Sequence, residues 1–304
     1  MSLSFSATTT AAEVAATFAD EIKGKNVLIT GTSLNGIGFE AARVLAEHAN
    51  LVIITGYNAE RLKCAKDTIT QEMPSANVRP LILDLSSLAA VRKAAAEVNA
   101  YTEPLHVLIH NAAATSQMAT DHFGPFLFTK LLTEKLLASG TADYTPRVVF
   151  ISSLVHGFGP GVNFNILGSP DPEHYDPLVA YQQAKSANVL SAIELSKRSK
   201  GQINAYSVHP GTIYTNIMQH EEAIPGLKKL GALGPDGRPH PEITWKTIPQ
   251  GAATFDPGLN DKPGSYISDC VEANQFIAAP SSDPANAEKL WTLTEEIIGE
   301  TFEF

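Results

Sequence analysis

A tyrosine and a lysine lie four positions apart in the segment YQQAKSAN, whose pattern predicts a helix. Tyr181 and Lys185 would therefore project from the same side of that helix, about one turn apart. A lysine ammonium next to a phenol favours the phenolate form, so such a pair can exchange a proton with a substrate near neutral pH. Pairs with this spacing also arise by chance, and other residues must support the assignment.

Two serines follow the apolar segment RVVFI at the end of a predicted strand. A hydroxyl at this position, on Ser152 or Ser153, can hydrogen-bond a substrate oxygen, and the alternative is an ordinary turn residue. His156 could line the same pocket, although a loop histidine is the commoner explanation. His106 and His110 would point to one face of a buried sheet rather than surround an ion, so no metal site is predicted.

The segment NVLITGTSLNGIG places three glycines between a predicted strand and a predicted helix. A turn without Cβ atoms lets backbone N–H groups approach a phosphate, and the helix N-terminus adds partial positive charge. The spacing differs from GxGxxG, so this turn alone leaves open a dinucleotide, S-adenosylmethionine or simple close packing. The residues predicted to contact a cofactor here are Gly31, Thr32, Ser33, Asn35, Gly36, Ile37 and Gly38.

The second predicted strand ends in Gly56, Tyr57 and Asn58. In dinucleotide-binding α/β folds, an acidic residue at the end of the second strand binds the ribose 2′-hydroxyl of NAD. No acid stands here, so a 2′-phosphate would meet no repulsive carboxylate, and NADP(H) is favoured over NAD(H). The preference is modest because no arginine stands at that point either.

Short β-branched segments alternate with helix-patterned segments along most of the chain. Near-continuous apolar strands joined by helical crossovers predict a parallel sheet that is covered on both faces. The predicted fold class is α/β: a doubly wound, Rossmann-like parallel sheet that binds ligands at the carboxyl ends of its strands. The predicted strands begin at Asn26, Leu51, Val78, His106, Arg147 and Ile203.

Residues 1–24 are predicted to be a leader with a short helix, and residues 25–304 a single dinucleotide-binding and catalytic domain. Two segments rich in proline and glycine, at about 156–178 and 213–262, each follow a strand end. They are predicted to be walls or lids of a pocket rather than a second domain, with plain surface loops as the alternative.

The formal net charge of −10 argues against a nucleic-acid-binding surface, which needs clustered lysine and arginine. The two cysteines, Cys64 and Cys270, form no CxxC pair, so a reducing compartment is expected. No apolar segment reaches the roughly 18 residues of a membrane span, and the N-terminus lacks the pattern of a signal peptide. A cytoplasmic protein is therefore expected, and a homo-oligomer is compatible with these features.

Six motifs in one order make the chain resemble the short-chain dehydrogenase/reductase family, from about Lys23 to the C-terminus. They are TGTSLNGIG for the family's TGxxxGxG, LDL at 83–85, HNAA at 110–113 for NNAG, ISS, YQQAK, and HPGTIYTN from His209. The tail, GSYISDC followed later by AEKLWTLTEEIIG, resembles the retinol-dehydrogenase-like branch of the family, including its fungal-type members.

The resemblance implies a role for each matched residue. Tyr181 would be the general acid/base, Lys185 would assist it and bind the nicotinamide ribose, and Ser153 would orient the substrate carbonyl. Hydride would pass between the nicotinamide and a substrate carbon, with the cofactor supplying the reducing power. Further residues implied to contact the dinucleotide are Asp84, Leu85, Asn111, Ala112, Pro210, Gly211, Ile213 and Thr215.

Some residues depart from the family pattern. The glycine turn carries one extra residue between Gly31 and Gly36, and Ala113 replaces a glycine. Asp121, in DHFG, stands where the resemblance places a helix asparagine that holds a water linked to the catalytic lysine. We count Asp121 as a fourth catalytic candidate, since its charge would stabilise the Lys185 ammonium and weaken the effect of that ammonium on the tyrosine.

Two connections are also shorter than in the family. The residues at 112–115 leave little room between strand and helix, which predicts that the helix begins near Ser116. The second shortening lies near Thr254, in QGAATFDPGLN.

The predicted function is an NADP(H)-dependent oxidoreductase that interconverts an alcohol and a carbonyl. A lipophilic small molecule is the expected substrate, since Leu154, Val155, Phe158 and Ile213 flank the expected site. The alternative is a catalytically impaired family member that binds the dinucleotide as a sensor or scaffold, which HNAA and Asp121 suggest. An S-adenosylmethionine-dependent transferase would explain the glycine turn but not the tyrosine–lysine pair.

Overall fold

The computed structural model describes residues 5–113, 118–168, 172–215, 221, 223–254 and 262–304. Within these ranges the strands are β1 (Asn26–Ile29), β2 (Leu51–Gly56), β3 (Val78–Ile82), β4 (Val107–His110), β5 (Arg147–Ile151), β6 (Asn204–His209), β7 (Tyr266–Ser268) and β8 (Val271–Glu272). They form one sheet in the order β3-β2-β1-β4-β5-β6-β7-β8. All neighbouring strands are parallel except β7 and β8, which are antiparallel.

Helices connect the strands and cover both faces of the sheet. The α-helices are α1 (Ala11–Thr17), α2 (Ala19–Ile22), α3 (Ile37–Leu45), α4 (Ala59–Glu72), α5 (Leu88–Asn99), α6 (Gly124–Leu137), α7 (Pro177–Arg198), α8 (Ile224–Lys229), α9 (Ile248–Ala252), α10 (Ala279–Ser282) and α11 (Pro284–Ile298). A π-helical turn, Ala119–Phe123, leads directly into α6. In the described part of the chain, none of the helices combines the length and apolar character needed to cross a bilayer.

The predicted α/β class with a doubly wound parallel sheet is confirmed. Strand β1 is buried along its whole length and β2 along its first five residues, which explains their near-continuous apolar sequences. The short strands β7 and β8 were not predicted, because segments of three and two residues show no periodic pattern.

Side chains of successive strand residues enter two separate cores. Leu28 of β1 belongs to the core that contains Phe128 of α6 and Trp291 of α11. Val27, one residue earlier, belongs to the opposite core with Ala11 of α1 and Ala41 of α3. The first helix, α1, thus packs on the same sheet as the rest of the chain.

The strand order reverses between β1 and β4, because the chain runs outward to β2 and β3 on one side and to β5 and β6 on the other. The helices that follow β1 and β4 therefore lie on opposite faces of the sheet. This arrangement opens a crevice at the carboxyl ends of the two strands, where ligands bind in sheets of this kind.

The two predicted lid-like segments contact helix α7. In the first, Val162 and Leu167 are buried and pack with Ala187 of α7 and Leu290 of α11. In the second, a Cβ on Gly226 of α8 would lie 3.3 Å from the Leu178 side chain, near the start of α7. Both segments are thus in position to wall the region around the first turns of α7. Positions 216–220, 222 and 255–261 of the second segment lie outside the described residues.

We predict that Gly124→Ala destabilises the protein. A Cβ at this first residue of α6 would lie 2.2 Å from the Leu85 carbonyl oxygen, so helix and strand end must separate. Overpacking of this kind lowers the free energy of unfolding by about 1–3 kcal/mol, measurable by urea denaturation. The matched control is Gly157→Ala, where no atom lies within 4 Å of the added Cβ. Equal stability of the two variants would contradict the prediction.

Candidate active site

Helix α7 carries the predicted tyrosine–lysine pair. The helix begins one turn before Tyr181, because the Asp176 side chain accepts hydrogen bonds from the N–H groups of Leu178, at 2.8 Å, and Val179, at 3.3 Å. Tyr181 is partly exposed, whereas Lys185 is buried. The Lys185 Nζ lies 5.3 Å from the centroid of the Tyr181 ring, so both side chains occupy one face of the helix.

The Lys185 ammonium is held by two groups from other elements. It donates a hydrogen bond to Asp121 Oδ2 at 2.8 Å and another to the Ile151 carbonyl oxygen at 3.1 Å. The side chains of Lys185 and Asp121 are 3% and 0% exposed, so this ion pair is shielded from solvent. The pair therefore joins α7 to the π-helical turn and to the end of β5.

The pKa of Lys185 reflects two opposing effects. Burial, the largest single influence, lowers the pKa of the lysine, while the Asp121 carboxylate, with help from Tyr181, raises it. The net result is a pKa above the ordinary value for lysine. Lys185 is thus a permanent cation at neutral pH.

The π-helical turn explains how Asp121 reaches α7. Asp121 and its neighbour His122 are both buried, yet they bond to different helices. His122 Nε2 lies 2.8 Å from Thr294 Oγ1 of α11, while Asp121 bonds Lys185. The first described helical residue before this turn is Met118. The predicted helix start near Ser116 and the short connection before it fall on residues 114–117, outside the described part.

The two candidate serines have different environments. Ser152 is buried, and its hydroxyl donates to the Lys185 backbone oxygen at 2.7 Å. Ser153 is partly exposed, and its Oγ accepts a weak hydrogen bond from the Val155 N–H at 3.4 Å. Ser152 therefore fixes helix α7 to β5, and the hydroxyl of Ser153 is the one at the site that is open to a substrate.

His156 supports the Ser153 turn from within. Its Nδ1 lies 2.6 Å from the Ser153 carbonyl oxygen, which can only accept, so Nδ1 carries the proton. The Ala278 N–H donates to Nε2 at 3.4 Å. Burial lowers the pKa of His156, with the Ser153 bond acting in the opposite direction. The imidazole is 1% exposed, so it braces the turn rather than lining a pocket.

The glycine turn is packed against the end of β4. Gly31 has φ +72°, and a Cβ there would lie 2.6 Å from the Ala112 Cα. A Cβ on Gly38 would lie 2.3 Å from Asn111 Nδ2. Asn35, the residue before Gly36, adopts a left-handed conformation with φ 60°, which asparagine tolerates.

Asn111 and Thr30 hold this turn in place. Asn111 Nδ2 donates to the backbone oxygens of Thr30 and Gly31, both at 2.9 Å. Thr30 Oγ1 accepts from the N–H groups of Asn111 and Ala112, both at 3.0 Å. Thr30 was not predicted as a site residue, although it is the threonine that opens the TGxxxGxG motif.

The first turn of α3 suits a phosphate. Gly36 is the N-cap residue and provides no side-chain hydrogen bond to the helix, whose first residues are Ile37 and Gly38. The N–H groups at this nine-residue helix start are thus available to an anion. Thr32 is committed elsewhere, because its hydroxyl donates to the Thr55 backbone oxygen at 3.1 Å. Ser33 lies in the same turn and is exposed.

The ends of β2 and β3 carry the residues predicted to meet the adenosine part. Tyr57 is 71% exposed, and Asn58 accepts a hydrogen bond from the Arg61 N–H as the N-cap of α4. Asp84 accepts from the N–H and hydroxyl of Ser86 at 2.9 and 2.6 Å, which fixes the orientation of its carboxylate. Leu85 is buried beside it.

The turn after β6 is covered by a lysine that the sequence argument missed. Gly211 has φ +97°, and a Cβ there would lie 2.5 Å from Lys246 Cδ. Lys246 forms an ion pair with Asp269 and a backbone bridge with Ile213. These residues are separated along the chain by connections of irregular sequence, so no motif spacing revealed the contact.

Ile213 is buried rather than exposed at the site. It was expected to flank the site as part of a lipophilic surface, but only 4% of the residue is exposed. A Cβ on Gly251 of α9 would lie 2.1 Å from Ile213 Cδ1, so the side chain is packed against that helix. Pro210, before it, is buried, and Thr215, after it, is partly exposed.

His110, the first residue of the HNAA motif, is buried in the core. His110 Nε2 lies 2.8 Å from Thr129 Oγ1, and the imidazole stacks on the Phe150 ring with centroids 5.1 Å apart. Burial lowers the pKa of His110 to about 3, so the ring is neutral. His110 is therefore a structural residue between β4 and β5, and Ala113 at the other end of the motif is partly exposed.

The chain is similar over nearly its full length to proteins of one family. Residues 25–166 match the family model described as short chain dehydrogenase. A chloroplastic short-chain dehydrogenase, TIC 32 A of Brassica napus, is 34% identical, covering 91% of this chain and 90% of that protein. Bos taurus retinol dehydrogenase 12 is 31% identical, covering 92% of this chain and 88% of that protein. The Penicillium rubens short-chain dehydrogenase/reductase prx1 is 32% identical, covering 92% of this chain and 86% of that protein.

Solved structures share the fold. An uncharacterized protein from Mycobacterium paratuberculosis superimposes with a TM-score of 0.67 at 25% identity, covering 94% of this chain and 98% of that one. A short-chain dehydrogenase from Escherichia coli, solved in complex with NADPH, gives a TM-score of 0.61 at 20% identity, with 83% and 98% covered.

We predict that Asp121→Asn destabilises the protein and shifts its pH–rate profile. Loss of the carboxylate leaves the buried Lys185 ammonium without its counter-charge, at a cost of about 3 kcal/mol. A lysine with a raised pKa contributes stability below its unfolded value of about 10.4 and loses it as the pH rises through the folded value. Because burial without the carboxylate lowers the Lys185 pKa, folded Asp121→Asn should release the lysine proton at a lower pH than folded wild type. The stability difference between wild type and variant should therefore shrink as the pH rises above the lowered Lys185 pKa of the variant, and vanish above the raised Lys185 pKa of the wild type.

The pH–rate profile of Asp121→Asn should move to lower pH, because the carboxylate no longer opposes a second negative charge nearby on the phenol. The control is Asp67→Asn, which removes an aspartate from an exposed pair with Lys63 at 2.7 Å and should change neither property. If the profile of Asp121→Asn superimposes on that of the wild type, Asp121 has no electrostatic effect on the tyrosine.

Proposed function

The chain belongs to the short-chain dehydrogenase/reductase family, and on that premise we propose that it is an NADP(H)-dependent oxidoreductase that interconverts a lipophilic alcohol and its carbonyl compound. One observation carries the proposal: the buried Lys185 ammonium lies 5.3 Å from the ring of the partly exposed Tyr181. A fixed cation beside an accessible phenol is the arrangement that proton transfer to a carbonyl oxygen requires.

In the direction of reduction, each residue has a separate task. The Ser153 hydroxyl donates a hydrogen bond to the substrate carbonyl oxygen and so places it beside Tyr181. Tyr181 transfers its phenolic proton to that oxygen as the alcohol forms. Lys185 lowers the energy of the resulting phenolate by its positive charge. A dinucleotide held by Lys185 and the glycine turn would supply the reducing equivalent as a hydride.

The residues of the β1–β4 crevice support a dinucleotide as the cofactor. Added Cβ atoms on Gly31 and Gly38 would clash with Ala112 and Asn111, so both glycines are required for the close packing of the turn against the end of β4. The first turn of α3 has no side-chain cap and offers its N–H groups to a pyrophosphate. Lys185 would contact the nicotinamide ribose, and Asp84 would meet the adenine.

The end of β2 supports NADP(H) over NAD(H). Gly56, Tyr57 and Asn58 include no carboxylate, and Asn58 uses its side chain to cap α4. The N–H groups at the start of that helix provide partial positive potential for a 2′-phosphate. The NADPH complex of the structural relative from Escherichia coli agrees with this preference.

The mouth of the site supports a lipophilic substrate. Leu154 and Phe158, in the turn after Ser153, are 41% and 65% exposed, and Phe276 is 58% exposed two residues before Ala278, which contacts His156. Exposed apolar side chains grouped in this way mark binding surfaces. Relatives of this chain are named retinol dehydrogenases, and retinol is itself a lipophilic alcohol.

We predict that Tyr181→Phe lowers kcat by at least about a hundredfold while NADPH binding stays nearly unchanged. The substitution removes one proton donor and little packing surface. Turnover is measured by NADPH absorbance with a panel of lipophilic aldehydes and ketones. The control, Tyr101→Phe, removes a hydroxyl that bonds Glu97 at 2.9 Å, far from the site, and should keep full activity.

Two results would count against the assignment of Tyr181. A Tyr181→Phe enzyme with more than a few per cent of the wild-type rate would show that another group moves the proton. Wild-type protein that binds NADPH but turns over no member of the panel would favour the sensor or scaffold alternative.

We predict that the protein binds NADPH more tightly than NADH and that Gly56→Asp reverses this order. The added carboxylate would repel the 2′-phosphate, which NADH lacks, so NADPH affinity should fall by at least about tenfold with little change for NADH. The site can hold the side chain, because the nearest neighbour of the new Cβ is Leu62 Cδ1 at 4.0 Å. Fluorescence titration of both dinucleotides tests this, and equal affinities in the wild type would refute it.

A further inference from the structure

An apolar cavity of about 80 Å³ lies beneath helix α1, on the face of the sheet opposite α7. Its floor is formed by strand residues that include Val27 of β1, Val149 of β5 and Val208 of β6. Its roof includes Ala15 of α1 and Ala41 of α3, two small side chains that leave space between helix and sheet. The cavity is therefore separate from the carboxyl-edge site of Tyr181 and Lys185.

The rim of the cavity lies at the amino edge of the sheet and is positively charged. Lys25 precedes β1 and Arg147 begins β5, and both line the cavity with Tyr144 between them. The Lys25 ammonium lies 3.7 Å from the centroid of the Tyr144 ring, and the Arg147 guanidinium carbon 5.8 Å from the same centroid. Glu21 is the one acid among the lining residues. Two cations at one opening stand out in a chain whose net charge is −10.

The surroundings of Lys25 disfavour its charge. Burial lowers the pKa of Lys25, and the neighbouring Arg147 lowers it further. Among the residues that the structure describes, no carboxylate oxygen lies within 4.0 Å of the Lys25 ammonium. An anion at this opening would offset both effects, because it pairs with Lys25 and reduces the repulsion from Arg147.

We propose that this cavity binds a short aliphatic carboxylate, with the hydrocarbon chain in the cavity and the carboxylate beside Lys25 and Arg147. Most of the lining side chains are aliphatic, so they favour a hydrocarbon chain over a polar group, which would lose its hydration for few new hydrogen bonds. A water-sized group occupies about 30 Å³, so the space holds about three carbon atoms beyond those at the opening. An apolar cavity of about 150 Å³ in another protein binds benzene, so a cavity of this scale is a feasible ligand site.

The first experiment locates the ligand. Protein labelled with [¹³C-methyl]alanine is titrated with pentanoate at millimolar concentration. The methyl signals of Ala11, Ala15 and Ala41, which line the cavity, should shift, and that of Ala16, which is exposed on α1, should not. Acetate has the carboxylate without the chain and should give no shift. Unchanged cavity methyl signals, or equal shifts with acetate, would overturn the proposal.

The second experiment separates the chain from the carboxylate. Ala15→Leu fills the cavity and should weaken pentanoate binding at least about tenfold, whereas Ala16→Leu on the same helix should leave it unchanged. Lys25→Gln should weaken pentanoate about tenfold and leave pentan-1-ol unaffected, while the control Lys23→Gln changes neither. Wild-type affinity in folded Ala15→Leu or in Lys25→Gln, or stronger binding of pentylammonium than of pentanoate, would refute the site. Because Lys25 is partly exposed at the rim, its substitution tests the proposal even if Ala15→Leu folds poorly.

Discussion

The carboxyl edge of the sheet is organised around one buried cation. An ammonium removed from water costs several kcal/mol unless a counter-charge and hydrogen-bond acceptors surround it. Asp121 and the Ile151 carbonyl oxygen meet this requirement for Lys185, at 2.8 and 3.1 Å. Because the two acceptors belong to different elements, the pair fixes α7, β5 and the turn before α6 relative to one another. The position of Tyr181 follows, since it lies one helical turn from Lys185 on the same face.

The part of the site formed by the glycine turn is held by close backbone packing rather than by a buried charge. The end of β4 approaches the glycine turn so closely that a single Cβ on Gly31 or Gly38 would overlap Ala112 or Asn111. Asn111 closes the contact through two hydrogen bonds to backbone oxygens. The glycine turn and the end of β4 are therefore held in fixed relative positions by packing and hydrogen bonds within the chain.

Local sequence patterns predicted the helices and strands, which depend mainly on local backbone geometry. Helical periodicity was enough to place Tyr181 and Lys185 on one face, and apolar runs located the six longer strands. Contacts between distant segments were less accessible: the pairing of Lys185 with Asp121, 64 residues away, was expected only through a family resemblance. The contact of Lys246 with Gly211 was missed, and Ile213 was assigned to the pocket although α9 buries it. Such contacts depend on how helices pack across irregular connections, which periodicity does not encode.

Two buried histidines connect the elements at the corner between β4, α6 and α11. His110 bonds Thr129 of α6, and His122 bonds Thr294 of α11, so each imidazole links two elements. Burial lowers the pKa of each to about 3, which leaves both rings neutral. Neither imidazole therefore adds a charge that varies near neutral pH. Within this corner the electrostatic environment of Tyr181 is set by the ion pair of Asp121 and Lys185, whose opposite charges nearly cancel at a distance while each still acts on the phenol at close range.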